Sequence, residues 1–121
     1  LLRTLHTQGR KLAIVSNKPD EAVRALRADF FADAVQIAVG ETAAIRRKPA
    51  PDMLLAAMEQ LGADPDKTVF VGDSEVDIAT ARAADLPCIS VLWGFRDRDV
   101  LERAGAQQFA ADIAQLQALL G

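Results

Sequence analysis

The stretch Val69–Asp77, "VFVGDSEVD", decides how the rest of the chain is read. An apolar run ends at Gly72, and Asp73 and Asp77 follow with helical spacing between them. A short apolar run bounded by polar residues is the mark of a strand buried on both faces, as in a parallel sheet. Residues four apart on a helix can face the same way, so Asp73 and Asp77 can converge. Converging carboxylates repel unless a cation is near. Oxygen ligands at a loop suit Mg²⁺, which takes one or two protein carboxylates and keeps waters or phosphate oxygens. A plainer reading makes Asp73 a helix N-cap and Asp77 a solvated helix residue. The spacing alone does not choose between the two.

Outward from this stretch, strands and helices alternate. Leu1, Leu2 and Leu5 fit one face of a short helix that Gly9 stops. Leu12–Val15 reads as a first buried strand. "PDEAVRALRADF" reads as a helix, with Pro19 in its first turn and Val23, Leu26 and Phe30 at helical spacing. Ala34–Gly40 is a second strand. "PDMLLAAMEQLG" is a helix with an apolar stripe of Leu54, Ala57, Met58 and Leu61, ended by Gly62. Strand "TVFVG", the Ala-rich helix "SEVDIATARAAD", strand "PCISVLWG", a short helix "DRDVLERAG", a weak edge strand "AQQFA" and a closing amphipathic helix follow. Such alternation predicts a doubly wound α/β fold with a mainly parallel sheet in one domain spanning residues 1–121.

The bulk properties agree. A chain of 121 residues, 50 % hydrophobic and 26 % charged, supports one packed core. A net charge of −3 without a strong Lys/Arg cluster argues against nucleic acid as the main partner. No apolar stretch approaches the ~20 residues of a bilayer span. Cys88 is the single cysteine, so no intrachain disulfide forms, and no signal peptide is evident at the amino terminus. A cytoplasmic protein is expected. The chain opens without Met inside a helix-like pattern, which suggests that it starts partway through a longer protein.

Ligands of open α/β sheets bind beyond the carboxyl ends of the strands. Ser16 and Asn17 end the first strand, where a hydroxyl and backbone N–H groups can hold a phosphate oxygen, or simply cap the next helix. Lys48 precedes the helix that starts near Pro51 and could neutralise phosphate, or could be an ordinary solvated lysine. Arg46 and Arg47 read as solvated or substrate-rim residues. His6 reads as surface, Cys88 as buried and inert, and Trp93 and Phe95 as packing or a substrate-side loop. No Gly-rich dinucleotide loop, Walker loop, zinc spacing or nucleophile elbow is present.

"IVSNK", "RRKPAPDMLLAAMEQLG" and "VFVGDSEVDIATARAA" stand in the order and approximate spacing of the haloacid dehalogenase superfamily, and the chain resembles its phosphoglycolate phosphatase branch. The resemblance implies a three-layer Rossmann-like core. It implies that Ser16 hydrogen-bonds the transferring phosphoryl group with Asn17 beside it, and that Lys48 stabilises nucleophile and phosphate. It makes Asp73 a Mg²⁺ ligand and Asp77 a second acid that supports the metal and orients Lys48, so the expected catalytic set is Ser16, Lys48 and Asp77. The substrate class is a small phosphate ester, with 2-phosphoglycolate as the best single candidate. A non-catalytic binding module, or a β-phosphoglucomutase- or pyrophosphatase-like enzyme, are the alternatives.

One motif of the family is missing. Its members carry an Asp nucleophile and an Asp acid/base in a "DxDGT"-like segment on a first strand, and no Asp-x-Asp precedes Ser16. The helical cap that selects substrate is missing too. The chain is therefore expected to be the carboxy-terminal part of such a phosphatase, inactive alone. The absent strand would lie between Leu12–Val15 and Thr68–Val71. The expected remedies are direct pairing of those two strands, self-association, or a strand supplied from elsewhere.

Overall fold

The computed structural model describes residues 1–94 and 96–120. Helix α1 (Leu2–Thr7) leads to β1 (Ala13–Pro19), α2 (Asp20–Leu26) and β2 (Ile37–Glu41). Then come α3 (Asp52–Leu61), β3 (Phe70–Gly72), α4 (Glu75–Ala83), β4 (Cys88–Val91), α5 (Arg98–Arg103), β5 (Gln108–Ala110) and α6 (Ile113–Leu120). All strand pairs are parallel, with Ala13 opposite Ile37, Phe70 opposite Cys88 and Ile89 opposite Gln108. Alternating short apolar runs and amphipathic helices thus give the expected mixed α/β architecture.

The local boundaries differ from the sequence expectation in instructive ways. β1 runs on through Ser16, Asn17 and Lys18 to Pro19, because Pro19 stays extended (φ −53°, ψ 142°) and stands as the N-cap of α2, not in its first turn. The helix then loosens into a π-helical turn at Arg27–Phe31. Of the stripe Val23, Leu26 and Phe30, only Val23 is buried; Phe30 is 74 % exposed. In α3 the expected stripe is buried at Leu54, Ala57 and Met58, and Met53 joins it with no exposed surface. Gly62 closes α3 in the left-handed region (φ 64°), where glycine carries no Cβ penalty.

The sheet is in two pieces. β1 and β2 form one and β3, β4 and β5 the other. Direct pairing of β1 with β3 does not occur, against one of the expected remedies. The inner edges of β1 and β3 instead flank an open cleft of about 380 Å³, into which Val15 and Val71 both face as lining residues. Val71 is 36 % exposed despite its apolar side chain. The two pieces are joined by α3. Its Met53 and Ala57 pack on Val39, Val15 and Ile37 of the first piece. Its Leu54 and Met58 pack with Leu86, Phe70 and Ala84 of the second. A separate cluster of Ile89, Val91, Ala110 and Leu116 is covered by Leu1, Val69 and Leu120.

Candidate active site

The cleft between the two sheets opens at the carboxyl ends of β1 and β3. Besides Val15 and Val71 it is lined by Lys48, Phe70, Gly72, Asp73, Asp77, Val91 and Trp93. Its polar side follows from the start of α4. Ser74 is extended (φ −135°, ψ 164°) and its Oγ accepts the N–H of Asp77 at 3.3 Å, so Ser74 is the N-cap. The plainer reading of "GDSEVD" fails on both counts: Asp73 does not cap the helix, and Asp77 is only 5 % exposed.

Asp77 is held from three directions. Its Oδ1 accepts the Lys48 ammonium at 2.7 Å. Its Oδ2 accepts the main-chain N–H of Asp73 and the Ser74 hydroxyl, both at 3.1 Å. Lys48 and Asp77 side chains are 14 % and 8 % exposed, so the pair is largely desolvated and each needs the other. The Lys48 ammonium also lies 5.7 Å from the centre of the Phe70 ring.

Asn17 sits at the end of β1 and grips Lys48 from behind. Its Oδ1 accepts the Lys48 N–H at 2.7 Å, and its Nδ2 donates to the Lys48 carbonyl at 3.2 Å. Both ends of the amide are committed to the main chain of Lys48. Ser16 precedes it; its Oγ accepts the Lys18 N–H at 3.2 Å. Among the described residues Ser16 makes no hydrogen bond to Lys48, Asp73 or Asp77. The structure thus brings Asn17, Lys48, Asp73 and Asp77 together and leaves Ser16 beside them on β1.

Asp73 differs from Asp77: among the described residues no donor hydrogen-bonds its carboxylate. Gly94 packs against that carboxylate, and a Cβ there would stand 2.3 Å from Asp73 Oδ2. A Cβ on Gly72 would likewise meet the Asp77 side chain at 2.3 Å. Both glycines are needed for close approach. Sequence reasoning missed Gly94 as a site residue, although "WGF" after a strand carried the signal. It also missed the Asn17–Lys48 clamp, whose partners are 31 residues apart.

The donor set fits a Mg²⁺ ion in part. Asp73 offers a carboxylate that accepts no hydrogen bond among the described residues and feels the nearby Arg96 charge, while Asp77 is taken by Lys48, Ser74 and the Asp73 main chain. Among the described residues no cluster of three or more acidic or His/Cys side chains is placed to hold a metal. The further ligands would be waters and phosphate oxygens, as Mg²⁺ prefers, or a carboxylate from outside these residues.

The remaining candidates lie at the rim or elsewhere. Arg46 holds Asp52 at 2.8 Å and Arg47 stands 3.9 Å from Glu41, with the arginine side chains 74 % and 62 % exposed. Arg96 holds Glu75 at 2.8 Å, and this hydrogen bond keeps the Glu75 carboxyl below its ordinary pKa. Trp93 is 48 % exposed and faces the cleft, which favours the substrate-side reading over packing. Phe95 lies outside the described residues. His6 is on the surface, as expected. Cys88 is half-buried; burial, with the Asp77 charge second, pushes its thiol up to about 11, so it is a poor nucleophile.

Residues 1–85 match the family described as haloacid dehalogenase-like hydrolase. A phosphoglycolate phosphatase of Rhodospirillum rubrum is 36 % identical over 122 residues, covering 100 % of this chain and 50 % of the relative. A crystal structure from Lactobacillus delbrueckii subsp. bulgaricus, assigned as a phosphoglycolate phosphatase, is 43 % identical with a TM-score of 0.95, covering 98 % of this chain and 50 % of that one. A Thermotoga maritima structure assigned as a β-phosphoglucomutase is 26 % identical with a TM-score of 0.81, covering 98 % of this chain and 56 % of that one. The chain spans about half the length of these relatives.

Proposed function

The chain belongs to the haloacid dehalogenase-like hydrolases, and on that premise we propose that it forms part of a Mg²⁺-dependent phosphatase acting on a small phosphate ester, 2-phosphoglycolate first. The observation that carries this reading is the pairing of Lys48 with Asp77 at 2.7 Å beside the Asp73 carboxylate, which accepts no hydrogen bond among the described residues, at the carboxyl end of β3. A largely desolvated ammonium and a carboxylate that accepts no hydrogen bond among the described residues, together in one cleft, suit a phosphate dianion and its metal.

The nucleophile comes from outside these 121 residues. In the proposed reaction an aspartate on a strand seated between β1 and β3 attacks phosphorus. The ester P–O bond breaks and the alcohol leaves with a proton from the acid/base aspartate of the same absent segment; that residue then takes a proton from water, which cleaves the aspartyl-phosphate and releases inorganic phosphate. Lys48, oriented by Asp77 and clamped by Asn17, neutralises the phosphoryl oxygens. The Ser16 hydroxyl remains available to donate to one of them. Asp73 would hold Mg²⁺, which supplies charge neutralisation on the phosphoryl group when bound. Asn17 acts as a positioning residue, through Lys48. A cytoplasmic setting fits the single unpaired cysteine.

The test supplies the missing half. The chain is mixed with the half of the R. rubrum phosphatase that it does not match, and Mg²⁺ and a panel of phosphate esters are added. Hydrolysis with preference for 2-phosphoglycolate is expected, and none by the chain alone. Hydrolysis of p-nitrophenyl phosphate by the chain alone would sink the proposal. Interconversion of β-glucose 1-phosphate and glucose 6-phosphate would favour the mutase reading that the T. maritima likeness keeps open. Binding without turnover by the mixture would point to a non-catalytic module.

A further inference from the structure

A second concavity, about 190 Å³, lies at the other end of the β1–β2 sheet, where the two strands begin. It is lined by Arg24 and Arg27 from the end of α2 and the turn after it, by Gln36, Ile37 and Ala38 at the start of β2, and by Gln60 from the last turn of α3. No residue of the phosphatase cleft contributes to it.

Its chemistry is one-sided. Arg24 is anchored through Nε, which donates to Asp20 Oδ2 at 2.6 Å. Arg27 is anchored through Nε as well, donating to the Val35 carbonyl at 2.6 Å. Among the described residues the terminal nitrogens of both guanidinium groups make no hydrogen bond. The Gln36 Oε1 already accepts the Leu12 N–H at 2.9 Å, and its amide nitrogen makes no hydrogen bond among the described residues. Gln60 adds a further amide. No carboxylate lines the concavity. Asp20 offsets one arginine charge, leaving a net charge of about +1 and a surplus of donors. Guanidinium groups held at Nε present their remaining donors as a fork that matches carboxylate and phosphate oxygens. The volume is below the roughly 300–1,000 Å³ of pockets for drug-sized ligands, which suits an ion and not a larger molecule.

We propose that this concavity binds a small oxyanion, a carboxylate or a phosphate, independently of the phosphatase cleft. The site stands or falls without regard to the catalytic reading, because it shares no residue with it.

The experiment is a ¹H–¹⁵N NMR titration of the chain at constant ionic strength, with inorganic phosphate in one arm and acetate in the other. The expected result is a saturable shift of the Ile37 and Ala38 amides and the Gln36 and Gln60 side-chain amides, with half-saturation at ~1–10 mM. Saturation in only one arm identifies the oxyanion. Arg24→Gln should weaken binding about tenfold, by loss of a charge-assisted contact. Arg24→Gln/Arg27→Gln should abolish it, and the surface variant Arg3→Gln, outside both concavities, should leave it intact. Arg27 also supports the Val35 carbonyl, so the exposed Arg24 variant decides if the double variant unfolds. Shifts confined to Lys48, Asp73 and Trp93, or unsaturable shifts equal in wild type and Arg24→Gln, would overturn the proposal.

Discussion

Asp77 is a buried carboxylate with Lys48, Ser74 and the Asp73 main chain all bonded to its two oxygens. Asp77→Ala leaves the Lys48 charge desolvated and unpaired, and should cost about 3–5 kcal/mol in a urea melt. Asp73→Asn removes no hydrogen bond of the carboxylate and should change stability by no more than about 0.5 kcal/mol. A stability loss at Asp73 as large as at Asp77 would refute the division of roles. Cys88 offers an independent check. With its thiol pushed up to about 11, native alkylation by iodoacetamide at pH 8 should be at least tenfold slower than in urea, where the thiol returns to ~8.5. The acid pair and Lys48 were legible as residue types in the right order. The identity of the cap was not, because Ser74 and Asp73 are both good caps and only the backbone angles distinguish them. The Asn17 clamp was not legible either, since sequence spacing says nothing about contacts across a crossover.

Periodicity placed the elements well where burial is one-sided. α3 is the clearest case: its stripe and its glycine stop both appear where the pattern puts them. Gly62→Ala should cost about 1–2 kcal/mol, read from the thermal midpoint, because a Cβ is forced into the left-handed region. The start of α3 is tied down by Arg46, whose hydrogen bond to Asp52 holds that carboxyl below its ordinary pKa. Glu75 at the start of α4 is lowered in the same way by Arg96. A carboxyl depressed in the folded state stabilises above its unfolded pKa, and that contribution is lost as pH falls through the folded value. Stability should therefore decline below about pH 4, near the unfolded carboxylate range, and Asp52→Asn with Glu75→Gln should flatten that acid limb in pH-dependent melts. The pattern misled at α2. Val23, Leu26 and Phe30 have helical spacing, yet the turn at Arg27–Phe31 is π-helical and turns Phe30 outward, which no α-helical period anticipates.

At the scale of the molecule, five parallel strands form two sheets with no ladder between them among the described residues. α3 spans the break, with Met58 and Leu54 on one side and Met53 and Ala57 on the other. Sequence alternation gave the parallel architecture correctly, because each strand was a bounded apolar run. It left open how the break would be met, since pairing of β1 with β3 depends on their separation in space and not on either run. An unpaired edge leaves backbone groups whose burial without partners costs about 1–3 kcal/mol each, so a cleft with two such edges is suited to receive a strand. In the proposed enzyme a strand bearing the nucleophile seats between β1 and β3. Hydrogen exchange of the β1 and β3 amides, with and without the unmatched half of the R. rubrum phosphatase, measures this directly. Inner-edge amides of both strands should exchange rapidly in the chain alone and become protected together when the half is added. Unchanged exchange at those edges, in a mixture that hydrolyses 2-phosphoglycolate, would contradict the account.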